Sequence, residues 1–425
     1  MYKTDSRYAS YVQILKEELV PAMGCTEPIA LAYGAAKARE VLGTMPDRVV
    51  IGASGSIIKN VKSVIVPNTN GLKGIPAAAT AGIVAGKSEK KLEVISVVTP
   101  EEIAGMRTFM DIVPIEVHHF HNGLTFDIIV TVYKGESYAK VRIVNFHTNI
   151  VHIEKDGEIL LKVDVDGESE DGLTDRSFMN IADIYDFAET VDIEDIKPTI
   201  ARQIEYNTAI SKEGMTGKWG SAVGKILMDT YGDNILNRAK AVAAAGSDAR
   251  MNGCEMPVII NSGSGNQGIT TSLPVIEYAK ELGVSEEKMF RALVLANLVT
   301  IHQKTPIGRL SAFCGAVSAG AGAGAGIAYL LGGDADAIGH TVVNAIATTG
   351  GMVCDGAKSS CATKIATAVE AGILGYRMHL AGKDLQPDDG IVGETAEQTI
   401  ANVGRMAKFG MKETNEEIIK IMIGK

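Results

Sequence analysis

Between Arg309 and Asp334 the chain runs 24 residues without a charge, centred on Gly320-Ala321-Gly322-Ala323-Gly324-Ala325-Gly326. That is long enough to span a bilayer. Glycine and alanine are too weakly hydrophobic for a lipid-facing helix, so the stretch is read as a helix buried in a folded core. Its small residues, with 46 glycines in all, suggest helices packed backbone to backbone and several loops that need positive φ.

The rest of the composition agrees with a globular chain. Its 425 residues suggest two or three domains, and 46% apolar with 22% charged residues excludes wholesale disorder. A net charge of −10 argues against a nucleic-acid partner, which would call for a basic excess. The start, Met1-Tyr2-Lys3-Thr4-Asp5-Ser6-Arg7, lacks the apolar core of a signal peptide. An odd set of five cysteines points to a reducing compartment with free, catalytic or metal-bound thiols. A cytoplasmic protein without membrane association is expected.

The pattern changes near residue 165. Tyr8 to Leu19 has helical spacing, and Thr26-Glu27-Pro28 reads as a helix start with a capping hydroxyl, running through an Ala-rich stretch to about Gly43. Val49 to Ala53, Val61 to Val66 and Leu92 to Val98 look like strands, with a helix near Ile75 to Ala85. Leu124 to Tyr133, Tyr138 to Phe146 and Asn149 to Glu154 alternate like an antiparallel meander. Val163 to Ser177, with Asp164, Asp166, Glu168, Glu170 and Asp171, is the linker candidate, and helical patterns dominate beyond it. The expectation is an α+β substrate-binding domain over 1–176, followed by a mostly α-helical domain over 177–425.

Three groups of residues could carry chemistry. Gly263-Ser264-Gly265-Asn266-Gln267-Gly268 matches a dinucleotide fingerprint, but Glu286 and Glu287 downstream sit in a helical segment rather than closing a strand. A glycine-rich loop bringing backbone N–H groups to a ligand is the simpler reading. Cys314, Cys354 and Cys361 lie on glycine-flanked turns without a Cys-x-x-Cys pair, so buried packing and metal binding both stand open. Cys25 precedes a helix start, where the helix field would lower a thiol pKa and make it a base or nucleophile; a packed thiol is the alternative. Lys59, Asn60, Asn68 and Thr69 read as solvated turn residues, and His118, His119 and His121 lack a further ligand to complete a metal site. Lys304 and Lys358 could each meet a carboxylate.

Pro21-Ala22-Met23-Gly24-Cys25-Thr26-Glu27-Pro28, Asn261 to Gly268, Phe313-Cys314-Gly315 and the Cys354 to Cys361 segment together resemble the L-cysteine desulfidase family, relatives of the iron–sulfur L-serine dehydratases. The resemblance implies a 4Fe-4S cluster on Cys314, Cys354 and Cys361 with one iron open to substrate. It implies a carbon–sulfur lyase that converts L-cysteine to pyruvate, ammonia and sulfide, with Cys25 as the base taking the α-proton. Thr26, Glu27, the Ser262-Gly263-Ser264-Gly265-Asn266-Gln267 loop, Lys304 and Lys358 would then meet the amino-acid substrate. The dehydratases carry a Ser-Ser-Ser-His-Thr run where this chain has Met23-Gly24-Cys25-Thr26, and a Pro-Val with a longer gap after their cysteine-aspartate pair. Serine dehydration, a pyridine-nucleotide enzyme and a non-catalytic amino-acid-binding protein are the alternatives. A homo-oligomer is expected.

Overall fold

The computed structural model describes residues 1–165, 167 and 173–424. Of the acidic linker, Asp166, Glu168, Glu170 and Asp171 lie outside the described residues. The strands are β1 (Pro21–Met23), β2 (Arg48–Ala53), β3 (Ile115–His119), β4 (Asp127–Lys134), β5 (Ser137–Val144), β6 (Ile150–Lys155), β7 (Glu158–Lys162) and β8 (Pro257–Ile259). Six of them form a mixed sheet in the order β3-β2-β4-β5-β6-β7. β2 runs parallel to β3 and antiparallel to β4, and the meander β4 to β7 is antiparallel throughout. Val49, Ile51 and Ala53 alternate into the core, and the helix Thr26–Leu42 packs on β4 and β5 with the helix Gly74–Ala85 against it. Beyond this α+β part the chain is mostly helical.

Local pattern misleads at several places. Val61 to Val66 is not a strand: the helix Gly55–Val61 ends there, and both edges of β2 are already taken by β3 and β4. Leu92 to Val98 is a short 3₁₀ turn and bend that buries Val94 and Ile95. Conversely, β7 is a strand although all five of its residues are exposed, so burial left no alternation to read.

The apolar core divides into two large clusters that do not follow one cut in the chain. The sheet cluster runs from Ile29 to Ile143. Tyr8, Tyr11, Ile14 and Leu15 of the helix Ser6–Glu18 join the helical cluster instead, where the Tyr11 ring lies 4.9 Å from that of Phe187. The helix Lys412–Ile423 in turn packs back on Gly55–Val61. Residues of the first helix thus pack with the helical cluster although they precede the sheet in sequence.

The glycine-alanine run forms the helix Gly315–Leu330, buried from Ala316 to Leu330. A repeat of two residues in a helix turning 100° per residue sends successive glycines to opposite faces. Gly320 and Gly324 meet Ala368 and Gly372 of the helix Cys361–Leu380, where a Cβ on Gly324 would come within 2.5 Å of Gly372 O. Gly322 and Gly326 face Ala296, Thr300 and Ala292 of the helix Glu286–Ile307. The contacts with Cys361–Leu380 keep a constant offset, so those two helices run parallel and bring their N-termini together. No described helix is long and apolar enough to cross a membrane.

Candidate active site

A two-stranded ribbon builds the first wall. β1 pairs antiparallel with β8, Pro21 opposite Ile259 and Met23 opposite Pro257, and Ile260 N donates to Val20 O at 3.0 Å. This places Cys25 beside the turn Asn261 to Ser264, where Ser262 (φ 49°) and Gly263 (φ 78°) are left-handed. Thr26 Oγ1 donates to Gly263 O at 3.0 Å, tying the two segments together. Ser264 then takes the N-cap position of the helix Gly265–Leu282, without a side-chain capping bond among the described residues. Since β8 pairs with β1 and not within a parallel βαβ unit, the glycine pattern is not a dinucleotide site. Gly268 instead lies against the backbone of Ile259, where a side chain would overlap.

Cys25, not Thr26, is the N-cap of the helix Thr26–Leu42; Thr26 is its first residue. The Cys25 thiol donates to Glu27 Oε2 at 2.9 Å. Burial and the Glu27 charge push that thiol well above its ordinary pKa, which corrects the expectation of a lowered one: the carboxylate in contact outweighs the helix field. Glu27 also accepts from Thr26 Oγ1 at 3.2 Å and Asn60 Nδ2 at 3.3 Å. His147 Nε2 stands 3.9 Å from its Oε1, beyond hydrogen-bond reach. Burial opposes ionisation of Glu27, yet His147 and the Cys25 thiol outweigh it and hold the carboxyl at about 2.

The parallel helices supply the opposite wall. Cys314 is the N-cap of Gly315–Leu330 and Cys361 the first residue of Cys361–Leu380. Cys354 joins them through a bridge between Phe313 and Val353, with Cys314 N donating to Met352 O at 3.0 Å and Cys354 N to Ala312 O at 2.6 Å. All three thiols and Cys25 line one cavity, about 810 Å³ including its open mouth. Cys254 is buried in the helical core outside it. Among the described residues the three thiols do not close to the 4.8 Å spacing of ligands on a single ion. Three thiols lining one cavity are the kind of soft donor set that an iron–sulfur cluster takes. Burial raises the Cys314 and Cys361 thiols, as it would any thiolate kept from water without a partner. Two ammonium groups stand nearby to offset such charge. Lys59 Nζ donates to Cys354 O at 3.1 Å, and Lys364 Nζ donates to Val353 O at 2.9 Å while pairing with Asp355.

Glu27, Ser262, Gly263, Ser264, Asn266, Gln267 and Lys304 all line the same cavity. Thr26 and Gly265 stand behind it. Lys358 does not line it, and its Nζ pairs with the Asp355 carboxylate at 3.0 Å. Lys59 and Asn60 are buried on Gly55–Val61 rather than solvated on a turn. His118 is exposed beside Glu116, and His119 stacks edge-on with His121. A different group, His340, His379 and Asp384, brings three ligand atoms within 4.8 Å, away from the cavity. Sequence reasoning missed His147, Arg250 and Arg309, which also line the cavity. Each arrives alone from a separate segment, with no motif around it to read.

The family that the chain matches makes it a serine dehydratase-like protein of the lyase type. The chain belongs to the serine dehydratase alpha chain family, whose pattern matches residues 89–420. Its relatives include the UPF0597 protein of Desulfitobacterium hafniense (strain Y51), 58% identical over 423 residues and covering 100% of this chain and 98% of that one. The UPF0597 protein of Lachnoclostridium phytofermentans is 53% identical over 416 residues, 98% of this chain and 100% of the relative. That of Fusobacterium nucleatum is 44% identical over 424 residues, 98% and 99% of the two chains.

Proposed function

We propose that the protein is an iron–sulfur-dependent lyase that converts L-cysteine to pyruvate, ammonia and sulfide. The observation that carries this reading is the meeting of Cys314, Cys354 and Cys361 with Cys25 and the Ser262 to Gln267 loop in one cavity. Cys314, Cys354 and Cys361 would hold a 4Fe-4S cluster; when bound, it supplies a Lewis-acidic iron for the leaving group. The remaining chemistry belongs to side chains. Cys25 takes the substrate's α-proton as a thiolate. Glu27, its hydrogen-bond partner, stays ionised with its carboxyl held at about 2 and does not store the thiol's proton, which leaves the site before this step. A thiolate that is costly to form is the stronger base once formed, which offsets part of that cost. Loss of the α-proton and of the β-sulfur as sulfide leaves aminoacrylate, which tautomerises to the imine and takes up water to give pyruvate and ammonia.

The family's name favours a second reading, in which L-serine loses water by the same elimination. A soft thiolate leaving group suits a sulfur-rich iron site better than a hydroxyl does, which places cysteine first. Anaerobic purification followed by iron, sulfide and pyruvate assays tests both. About four irons per chain with sulfide release from L-cysteine is the expected result. A colourless, iron-free protein after anaerobic reconstitution would overturn the cluster, and pyruvate from L-serine alone would reverse the order of substrates.

A further inference from the structure

Arg250 sits near the end of the helix Ile235–Met251, is 2% exposed, and lines the cavity. Among the described residues its guanidinium makes one hydrogen bond, from Nη1 to Asn266 Oδ1 at 3.0 Å, and its buried Nε has no partner. Among the described residues no aspartate or glutamate forms an ion pair with it. A buried, uncompensated charge is costly, and a protein that keeps one has a use for the field it creates. Other charges in the wall are already engaged. Arg309 Nη2 donates to Glu18 at 2.6 Å, and Glu27 already accepts from Cys25, Thr26 and Asn60.

The loop is shaped to hold this guanidinium. A Cβ on Gly265 would come within 2.7 Å of Arg250 Cζ, so the bare backbone at 265 gives the group its seat. The Asn266 amide then orients it at the N-terminus of the helix Gly265–Leu282, an end that also favours an anion. One residue on, Gln267 is 4% exposed and lines the same cavity, and its buried Oε1 has no donor among the described residues. One wall therefore carries an unanswered cation and an unanswered acceptor.

We propose that Arg250 receives the α-carboxylate and Gln267 the α-ammonium group of the amino acid, whatever its β-substituent. The inference rests on the amino-acid lyase reading and deepens it. Gly265 and Asn266 become positioning residues for Arg250 rather than ligands of the substrate.

L-Alanine is the probe, because it carries both groups and no leaving group, and ethylamine is its control without a carboxylate. Binding is read on the anaerobically purified holoprotein by saturation-transfer NMR and by the shift in melting temperature. The wild type should bind L-alanine at least about ten-fold more tightly than ethylamine, a difference of about 1.4 kcal/mol. R250M should lose that preference and, without ligand, melt no lower than the wild type, since an unpaired buried charge is gone. Unchanged L-alanine affinity in R250M, or a wild type indifferent to L-alanine, overturns the proposal. Should R250M fail to fold, R250K decides: undiminished L-alanine affinity there overturns it as well. If L-alanine binds in an Arg250-dependent way but neither L-cysteine nor L-serine is consumed, the lyase reading fails and the receptor stands. If turnover occurs and R250M leaves KM unchanged, the receptor fails and the lyase stands.

Discussion

Lys59 Nζ donates to the backbone carbonyl of Cys354 at 3.1 Å, so a lysine from beside the sheet holds the segment that carries a thiol of the helical part. The same ammonium reaches Ser311 O at 3.2 Å and Asn415 Oδ1 at 2.7 Å. It is 2% exposed, and burial lowers its pKa despite the thiols and acids around it. Three segments distant in sequence thus meet on one side chain. Lys59→Met would keep the volume and strand the acceptors. The expected loss is about 1–3 kcal/mol in urea unfolding, with lower iron content after reconstitution. Stability and iron content both equal to the wild type would show that the ammonium does not organise this wall.

The cysteines separate by position. Cys314→Ser, Cys354→Ser and Cys361→Ser should each strip iron and bleach the protein, whereas Cys254→Ser, in the core away from the cavity, should leave iron per chain unchanged. Iron analysis and visible absorption of the four anaerobic proteins check this. Full iron content in Cys354→Ser would remove the ligand assignment.

Cys25 should behave differently from those three. Cys25→Ala is expected to keep the iron and to bind substrate, yet lose on the order of 10²–10⁴-fold in kcat with KM little changed. Exchange of the Cα hydrogen with deuterated solvent should fall in parallel. An iron-free Cys25→Ala protein would instead make this thiol a further ligand.

Glu18 predicts a pH dependence. It is 1% exposed and pairs with Arg176 and Arg309, each at 2.6 Å. Burial alone would raise its pKa, but the two guanidinium groups outweigh it and hold the carboxyl below its ordinary 4.5. Because the folded pKa is the lower one, the stabilisation is present above pH 4.5 and is lost as pH falls through the folded value. Glu18→Gln should cost about 3–5 kcal/mol near neutrality by removing the buried carboxylate that Arg176 and Arg309 share. Its melting temperature should then fall less steeply than that of the wild type on acidification. Parallel curves for the two proteins would show that Glu18 is not the group responsible.

Much of this molecule is legible along the chain. The meander announces itself by alternation in β4, β5 and β6, and the helix after Cys25 by Thr26-Glu27-Pro28. The uncharged glycine-alanine run reads as a buried helix because its composition permits little else. These are local signals: period, capping chemistry and side-chain size act over a few residues, so they survive without the rest of the fold. The cavity does not work that way. Thr26 meets Gly263 because a three-residue ribbon of Pro-Ala-Met and Pro-Val-Ile pairs across the chain, and segments so short have no periodicity to read. Cys314 and Cys361 meet because glycines on one face of a helix admit a parallel neighbour, which only the packed pair reveals. Lys59, Arg250 and Glu18 look like surface charges in sequence and are buried in the fold, since what decides the cost of a charge is its surroundings. The thiol pKa of Cys25 shows the same physics: the helix N-terminus is written in the sequence, but the dry, carboxylate-bearing pocket that outweighs it is made by tertiary structure.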